Sequence, residues 1–497
     1  MNKNYYITTP IYYPSAKPHM GHAYTSIIAD FFARFKRIDG FDVHFLTGTD
    51  EHGLKIQRAA ESKNIDPLEF CDLISQTFRD LSKTLNLSNT DFIRTTEKRH
   101  KKTVQHLWSE LEKNDDIYLS KYSGWYSVSD EAYYSEEEII ENNGKKVAES
   151  SGSSVEWIEE ESYFFRLSKW EGKLLDYYEK NSDFISPISR KNEVISFVKS
   201  GLKDLSISRK AFSWGIKVPG NADHVIYVWL DALTNYISAL DYPDTKSSLF
   251  KKYWPASVHL IGKDILRFHA VYWPAFLMAA KVPLPKKIYG HGWILSGEEK
   301  MSKSKGNILD PIDIIDNYGL DPLRYYLAKE VSFGNDGNIS TERLEDCINS
   351  DLANNYGNLC QRVVSFNEKN CQLKIPENID FTKDDMKILD RYSNGIENLR
   401  IEIDKQNLNY YVDFIITSLF ESNKYFNDQE PWKKKDDKDR LNTIVYTSLE
   451  MIRKISFMLY PIIPDTINRA LKIFNLDSKD INLESISSHD FLKAGSN

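Results

Sequence analysis

Cysteine is scarce in this sequence, and the four that occur, Cys71, Cys347, Cys360 and Cys371, are scattered through 497 residues without a C-x-x-C pair. That spacing speaks against a disulfide framework and against a cysteine-rich zinc site. A surplus of basic charge is also missing. The formal net charge is −8, which argues against a protein that coats nucleic acid indiscriminately, since phosphate attraction normally comes from a basic surface. Local basic clusters remain, at Lys98 to Lys102, Arg190-Lys191, Lys300 to Lys305 and Lys433 to Lys435; each is of the kind that usually forms a solvated face. No apolar run approaches membrane-spanning length, and Met1-Asn2-Lys3-Asn4 leads into strand-like sequence without an apolar signal segment. A cytoplasmic location is the default expectation. There is no convincing internal repeat and no long low-complexity tail.

What is present suits packed cores: 41% hydrophobic and 13% aromatic residues, in a chain long enough for two or three domains. Tyr5 to Thr9 has the aromatic and β-branched texture of a buried strand, and Ile27, Ile28, Phe31, Phe32 and Phe35 recur with helical period. His19-Met20-Gly21-His22 therefore lies between a strand and a helix. In an open parallel sheet that is where ligands bind, and the unpaired N–H groups of a helix start favour an anion. Gly21, without a Cβ, lets a flat group such as a base approach the backbone. A second strand, Val43 to Thr47, runs into Gly48-Thr49-Asp50-Glu51-His52-Gly53, which puts Asp50 at a carboxyl strand end, either to receive an ammonium group or to cap a helix from Leu54.

Helical patterns at about 67–85 and 99–114 fit crossover connections. From Asp116 the texture changes to Tyr118, Tyr122, Trp125, Tyr126, Tyr133 and Tyr134 among serines and acids, which predicts an inserted strand-rich subdomain ending near Gly220, with Tyr163 to Leu167 one of its strands. The parent sheet is expected to resume at Val225-Ile226-Tyr227-Val228, followed by a helical turn carrying Trp229, Ala232 and Tyr236 along one side. Val258 to Asp264 reads as a strand ending in a polar crevice, followed by a helix with Ile265, His269, Tyr272 and Trp273; Lys287 to Tyr289 reads as a further strand. Asp310-Pro311 and Asp321-Pro322 both look like helix starts, an N-cap followed by proline. Beyond Ser340 strand signals stop, and stripes such as Leu344, Ile348, Leu352, Tyr356, Leu359 and Val363 predict a bundle of about four or five helices.

Far downstream of the two histidines stands Lys300-Met301-Ser302-Lys303-Ser304. With this pair of motifs the sequence resembles the class I aminoacyl-tRNA synthetases, and within that class the methionyl-tRNA synthetases. The narrower resemblance rests on Pro10-Ile11-Tyr12-Tyr13-Pro14, Gly48 to Gly53, Val228-Trp229-Leu230-Asp231-Ala232 and Gly262-Lys263-Asp264-Ile265, and it extends into the bundle at Asn358 to Arg362 and Pro431-Trp432. It implies an α/β fold: a Rossmann-like parallel-sheet catalytic domain in two halves, 1–115 and 223–299, split by a connective insertion at 116–222. The lysine-serine loop and stem-contact region at 300–340 and an all-α anticodon-binding domain at 341–497 would follow. The implied activity is methionine activation by ATP and transfer to tRNA(Met).

That activity places specific demands on side chains. The amino acid carboxylate attacks the α-phosphorus of ATP, so positioning, positive charge and N–H donors matter more than a protein nucleophile or base. His19 and His22 would donate to the triphosphate, Lys303 would close over the pyrophosphate and Lys300 would anchor its loop. Gly21, Gly262, Asp264 and Ile294 would cradle adenosine, and Mg²⁺ would accompany ATP, held by phosphates and water. By resemblance, Ile11, Tyr13, Trp229, Ala232, Tyr236, Ile265 and His269 build an apolar slot for methionine, with Asp50 on its ammonium group. Sulfur is a weak acceptor, so shape should dominate selection. Asn358, Arg362 and Trp432 would read the anticodon by hydrogen bonding and stacking.

Three departures from the family pattern matter. Relatives often carry zinc-binding cysteine pairs in the insertion, whereas Tyr126-Ser127-Val128-Ser129-Asp130 has none; no structural zinc is expected, with a tyrosine-rich core instead. The chain stops soon after the bundle, which favours a monomer, and Leu233 stands where other relatives have proline. Two rivals compete: a metallohydrolase built on His19, His22, Asp50 and His52, and a non-catalytic tRNA-binding relative. The first leaves the lysine-serine motif unexplained, and the second has no use for both motifs beside a methionine slot.

Overall fold

The structure is a computed structural model that describes residues 3–14, 17–130, 132–142, 144–296, 299–300 and 310–496, with backbone alone at 122, 296, 299 and 300. The chain forms two compact units. One comprises Asn4–Pro18 and His44–His291, the other Met1–Lys3, His19–Val43 and Gly292–Asn497.

The first unit is built on a six-stranded sheet in the order Asp91–Arg94, Asp42–Thr49, Asn4–Thr8, Val258–Gly262, Ile288–His291, Ile185–Ser186. Parallel pairing sets Thr47 opposite Phe92, Ile7 opposite Val258, Leu260 opposite Tyr289 and Ile288 opposite Ile185. Tyr5 to Thr8 are all buried, as a central strand covered on both faces requires. Gly48 is dictated by the neighbouring strand, because a Cβ there would lie 2.0 Å from the Ile93 carbonyl oxygen. Strand order reverses between Asn4–Thr8 and Val258–Gly262, and the crevice outside the carboxyl ends of two such strands is the usual ligand position.

The expected return to this sheet at Val225 to Val228 is corrected. Asn221–Ile226 pairs antiparallel with Ser208–Arg209 and Lys217–Val218, and Val228 already begins the helix Val228–Leu233. Short apolar runs do not announce their partners, and here a turn with Gly220 at φ +77° returns the chain antiparallel. The edge strand Ile185–Ser186 was missed because two residues leave no periodic signal.

In the insertion, Ile117–Ser127 and Glu156–Phe165 pair antiparallel over ten residues, flanked by Ala132–Tyr134 and Leu205–Ser206. Helices Glu171–Lys180 and Ile188–Lys199 interrupt the strands, which resume at Leu205–Ser206 against Phe164 and Phe165. Tyr126 packs 4.9 Å from Tyr133, and the buried Arg209 guanidinium stands 5.5, 4.1 and 4.4 Å from the rings of Tyr126, Tyr133 and Tyr227. The tyrosine cluster thus encloses a cation, worth more when desolvated than at a surface. Beside it the Asp130 carboxylate accepts hydrogen bonds from Ser151 Oγ, Ser153 Oγ and Tyr134 Oη at 2.5, 2.6 and 2.7 Å, clipping two loops together.

The second unit carries the helix Met20–Ile38 together with the C-terminal helices. Asp30 of that helix is fully buried, and it accepts from Arg34 Nε and Arg324 Nη2, each at 2.7 Å. Arg324 also donates to the carbonyls of Ile462 and Pro461. Lys36 pairs with Asp404 at 2.5 Å and Asp39 with Arg400 at 2.8 Å, while Tyr411 sits edge-on to Phe31 and Phe35. Asp310 caps Pro311–Tyr318 as expected. Asp321 does not cap its own helix, which starts after Gly319; its carboxylate accepts from the Thr466 N–H in the first turn of Pro464–Leu471 instead. The stripe from Leu344 to Val363 runs through Thr341–Cys347, a wide π-helical stretch Ile348–Gly357 and Asn358–Cys371. Lys383–Asp404, Leu408–Gln429 and Lys438–Leu459 follow, the last buried along most of its length.

Removing Arg324 leaves buried Asp30 with Arg34 alone and takes the donor from the Ile462 and Pro461 carbonyls, so Arg324→Ala should cost about 3 kcal/mol, read by chemical denaturation. For the insertion, a chelator should leave the melting midpoint unchanged while Asp130→Ala lowers it, and metal analysis of the purified protein should find no stoichiometric zinc.

Candidate active site

His19 is the N-cap of Met20–Ile38, in extended conformation. Its Nδ1 accepts from the Gly21 N–H at 3.0 Å, and Nδ1 of His22 accepts from the His19 N–H at 3.1 Å. Together they form a capping box with imidazoles in place of the usual hydroxyl and carboxylate. A nitrogen that accepts carries no proton, so in the neutral rings the proton sits on Nε2 of each. The rings stand 3.8 Å apart. Burial and the neighbouring His19 push the His22 imidazole well below its ordinary pKa, so it is a neutral donor at working pH. The space a Cβ would take at Gly21 lies 2.9 Å from His19 Cε1, so the glycine makes room for the capping ring itself. In the same unit Ile294 is buried in Ile294–Ser296, and Leu295 stands opposite the backbone of Lys300. Lys303 lies outside the described residues.

The other unit holds the residues expected to line the slot, and Trp229, Tyr236 and His269 among them are in contact. Tyr12 N–H donates to Gly48 O and Asp50 N–H to Tyr12 O, at 2.8 and 2.9 Å, so the segment bearing Ile11 and Tyr13 extends along the strand end bearing Asp50. Asp50 is buried, and Gly53 occupies the N-cap of Leu54–Lys63, which removes the helix-cap reading of Asp50. The adjoining Glu51 is locked by Arg94 through two hydrogen bonds of 2.7 and 3.0 Å. His269 Nδ1 lies 3.0 Å from the Ile265 carbonyl and must donate, which leaves Nε2 to accept the Tyr236 hydroxyl proton at 2.6 Å. Trp229 lies edge-on to His269 at 6.2 Å and stacks on Phe268 at 3.7 Å. Ile11, Tyr13, Trp229 and Ile265 are half-buried against the core that contains Tyr236, and Ala232 is itself buried. Phe268 was missed, although its place three residues after Ile265 on a helical face was the available signal. Beneath this layer His259 stacks on Tyr236 at 4.0 Å, its Nδ1 2.8 Å from Thr8 Oγ1. At the end of the strand Val258–Gly262, a Cβ on Gly262 would meet Asp264 Oδ1 at 2.6 Å and His291 Cε1 at 3.9 Å, which brings Gly262 and Asp264 together.

In the bundle Asn358 is exposed at the start of Asn358–Cys371. Arg362, one turn on, donates to Asn427 Oδ1 and lies 5.4 Å from the Phe426 ring, whose edge faces Trp432 at 6.2 Å. Trp432 is 41% exposed. Phe426 is the member of this group that had not been anticipated.

The metal-site reading finds no support. His52 Nδ1 is turned to Asp231 Oδ2 at 2.6 Å, and among the described residues no group of three His, Cys, Asp or Glu is placed to hold a metal ion.

Residues 5–364 match the family model described as tRNA synthetases class I (M), and residues 375–497 match the anticodon binding domain of methionyl tRNA ligase. The chain belongs to the methionyl-tRNA synthetase family. Among curated methionine–tRNA ligases it is 52% identical to that of Rickettsia conorii over 501 residues, covering 100% of this chain and 98% of that protein. It is 51% identical to that of Brucella suis, covering 95% and 92%. The solved Mycobacterium tuberculosis methionyl-tRNA synthetase in complex with methionyl-adenylate superposes with a TM-score of 0.97 at 44% identity, covering 99% of this chain and 98% of that one. Membership in the methionyl-tRNA synthetase family therefore spans both the sheet unit and the helical bundle, and the class I parallel sheet with its strand-rich insertion is the one described above.

The buried histidines beside Tyr236 have a pH signature. Burial drives the His259 imidazole well below its ordinary pKa and the His269 imidazole down to about 4. The unfolded chain protonates the same rings near about 6.5. Below that pH the unfolded state binds more protons, so this contribution to stability is complete above pH ~6.5 and is lost as pH falls toward 4. Denaturation midpoints should therefore drop between pH 7 and pH 5, and His269→Gln should make the drop shallower.

Proposed function

We propose that this synthetase activates L-methionine with ATP to methionyl-adenylate and pyrophosphate, then transfers the methionyl group to the 3′-terminal ribose of tRNA(Met). In the first step a methionine carboxylate oxygen, already ionised, attacks the α-phosphorus, and the bond to the β-phosphate bridging oxygen breaks. No protein base is required, so the protein's contribution is placement and charge stabilisation. His19 and His22, with their protons on Nε2, are the proposed neutral donors to the triphosphate. Lys303 is the proposed cation over the departing pyrophosphate, with Lys300 anchoring its loop. Gly21, Gly262, Asp264 and Ile294 are assigned to adenosine. Mg²⁺ is proposed to come with ATP, held by phosphate oxygens and water rather than by a protein cage. In the second step the terminal 2′-OH attacks the carbonyl carbon of the adenylate, and AMP leaves.

The observation that supports the substrate assignment is the apolar cluster of Trp229, Phe268 and Tyr236 around His269, for which a slot is proposed. Trp229, Phe268, Tyr236 and Ile265 give it an apolar wall, and the Tyr236 hydroxyl proton is committed to His269. An unbranched thioether suits such a wall, because it fills irregular apolar space and asks little of hydrogen-bond donors. Ile11, Tyr13, Ala232 and His269 complete the proposed slot, and Asp50 is assigned to the ammonium group, where a buried carboxylate makes a strong charge-assisted hydrogen bond. At the other end of the chain, Asn358, Arg362 and Trp432 are assigned to the anticodon. Among the described residues no helix is long and apolar enough to cross a membrane, and a cytoplasmic monomer completes the proposal.

The deciding experiment is ATP–pyrophosphate exchange against a panel of amino acids. Exchange should be methionine-dependent, fall by orders of magnitude in Lys303→Ala and need more methionine in Asp50→Ala. Trp432→Ala should lower tRNA charging while leaving exchange unchanged; equal loss in both assays would reassign Trp432 to folding.

A further inference from the structure

One buried carboxylate in the sheet unit has no part in the chemistry proposed above. Asp231 is fully buried on Val228–Leu233, between Trp229 and Ala232. Its Oδ2 lies 2.6 Å from His52 Nδ1 and its Oδ1 2.7 Å from His100 Nε2. Burial pushes the Asp231 carboxyl up, but the imidazoles of His52 and His100 hold it down to about 2. It is therefore ionised and can only accept, and both rings donate to it.

The three partners come from three different segments. His52 is two residues beyond Asp50, its carbonyl takes the Tyr13 hydroxyl at 2.7 Å, and its ring lies edge-on to Trp214. His100 sits on Lys98–Lys113 with Nδ1 2.8 Å from Ser238 Oγ, on the turn that follows Tyr236. One side chain thus ties the wall carrying Trp229, Ala232 and Tyr236 to the loop carrying Asp50 and, through the hydroxyl that His52 accepts, to the segment carrying Tyr13. Burying a carboxylate is costly, and apolar packing would close the same gap more cheaply. What packing cannot do is fix distance and angle, because dispersion contacts slide whereas two charge-assisted hydrogen bonds do not.

We propose that Asp231, held by His52 and His100, is a positioning residue that sets the spacing between the two walls of the methionine slot and thereby governs methionine affinity. This rests on the reading of the slot given above. Preorganisation of this kind acts within fractions of an ångström, and its loss weakens ligand binding before it affects chemistry.

The test is methionine-dependent ATP–pyrophosphate exchange at saturating ATP, with melting curves recorded for every variant. Asp231→Asn and His100→Phe should raise the methionine KM about tenfold, with kcat and the ATP KM within about twofold of the parent. His100→Gln, whose amide can donate from the place of Nε2, should bring the methionine KM back to within about threefold. A merely structural role would lower the folded fraction and hence kcat at unchanged methionine KM. That result, or Gln proving no better than Phe at position 100, overturns the proposal. Should His100→Phe fail to fold, Asp231→Asn and His100→Gln still give opposite expectations for KM. Absence of methionine-dependent exchange in the parent protein would instead overturn the slot assignment itself, whereas an intact parent with unshifted variants removes the positioning role alone.

Discussion

The hydrogen bond from a backbone N–H to an imidazole Nδ1 is what defines the chemistry at the start of Met20–Ile38. Two such bonds are made reciprocally by His19 and His22, and they do two things at once. They satisfy helix-start N–H groups that would otherwise go unpaired, and they dictate which ring nitrogen carries the proton. The same rule recurs in the sheet unit. His269 gives its Nδ1 proton to a carbonyl and so must accept from Tyr236, and the Asp231 carboxylate obliges His52 and His100 to donate. In the sheet unit burial makes each assignment strict, since an unpaired polar nitrogen away from water is expensive. All five of these imidazoles thus have donor or acceptor roles fixed by their partners, and His22 and His269 are in addition kept neutral by burial.

The second unit shows what holds the motif-bearing helix in place. Its Asp30, Lys36 and Asp39 are each buried and each engaged by a charge from the C-terminal half: Arg324, Asp404 and Arg400. Phe31 and Phe35 fill the space between them against Tyr411. The helix that begins with the two histidines is therefore built as part of the same compact unit as the helices that carry Asn358, Arg362 and Trp432, even though more than three hundred positions separate them in sequence.

Much of this was legible in the sequence, for physical reasons that also explain what was not. Strands such as Asn4–Thr8 and Val258–Gly262 are buried on both faces and read as continuous apolar runs, and the long helices announce themselves by period. Val225–Ile226 has the same local texture but is paired antiparallel, and partner choice is a long-range property that texture does not encode. The residues assigned to the slot were singled out only because motifs marked them. Phe268, Phe426 and Arg209 carry no such mark, and their roles come from neighbours distant in the chain. Asp231 is the clearest instance, 179 residues from one partner and 131 from the other. The wide stretch Ile348–Gly357 left a trace after all, since its stripe advances by four residues at Leu344, Ile348, Leu352 and Tyr356 rather than alternating threes and fours.

Because each histidine of the cap works through Nδ1 toward its own backbone and is assigned through Nε2 to the nucleotide, the two duties can be imitated separately. An asparagine places an amide oxygen near the position of Nδ1, and a glutamine places an amide nitrogen near that of Nε2. Asparagine at residue 19 would preserve the helix beginning yet present nothing to phosphate, whereas glutamine would reach outward at the expense of the turn behind it. Alanine removes both at a stroke, and a loss measured with it cannot be apportioned between scaffold and ligand.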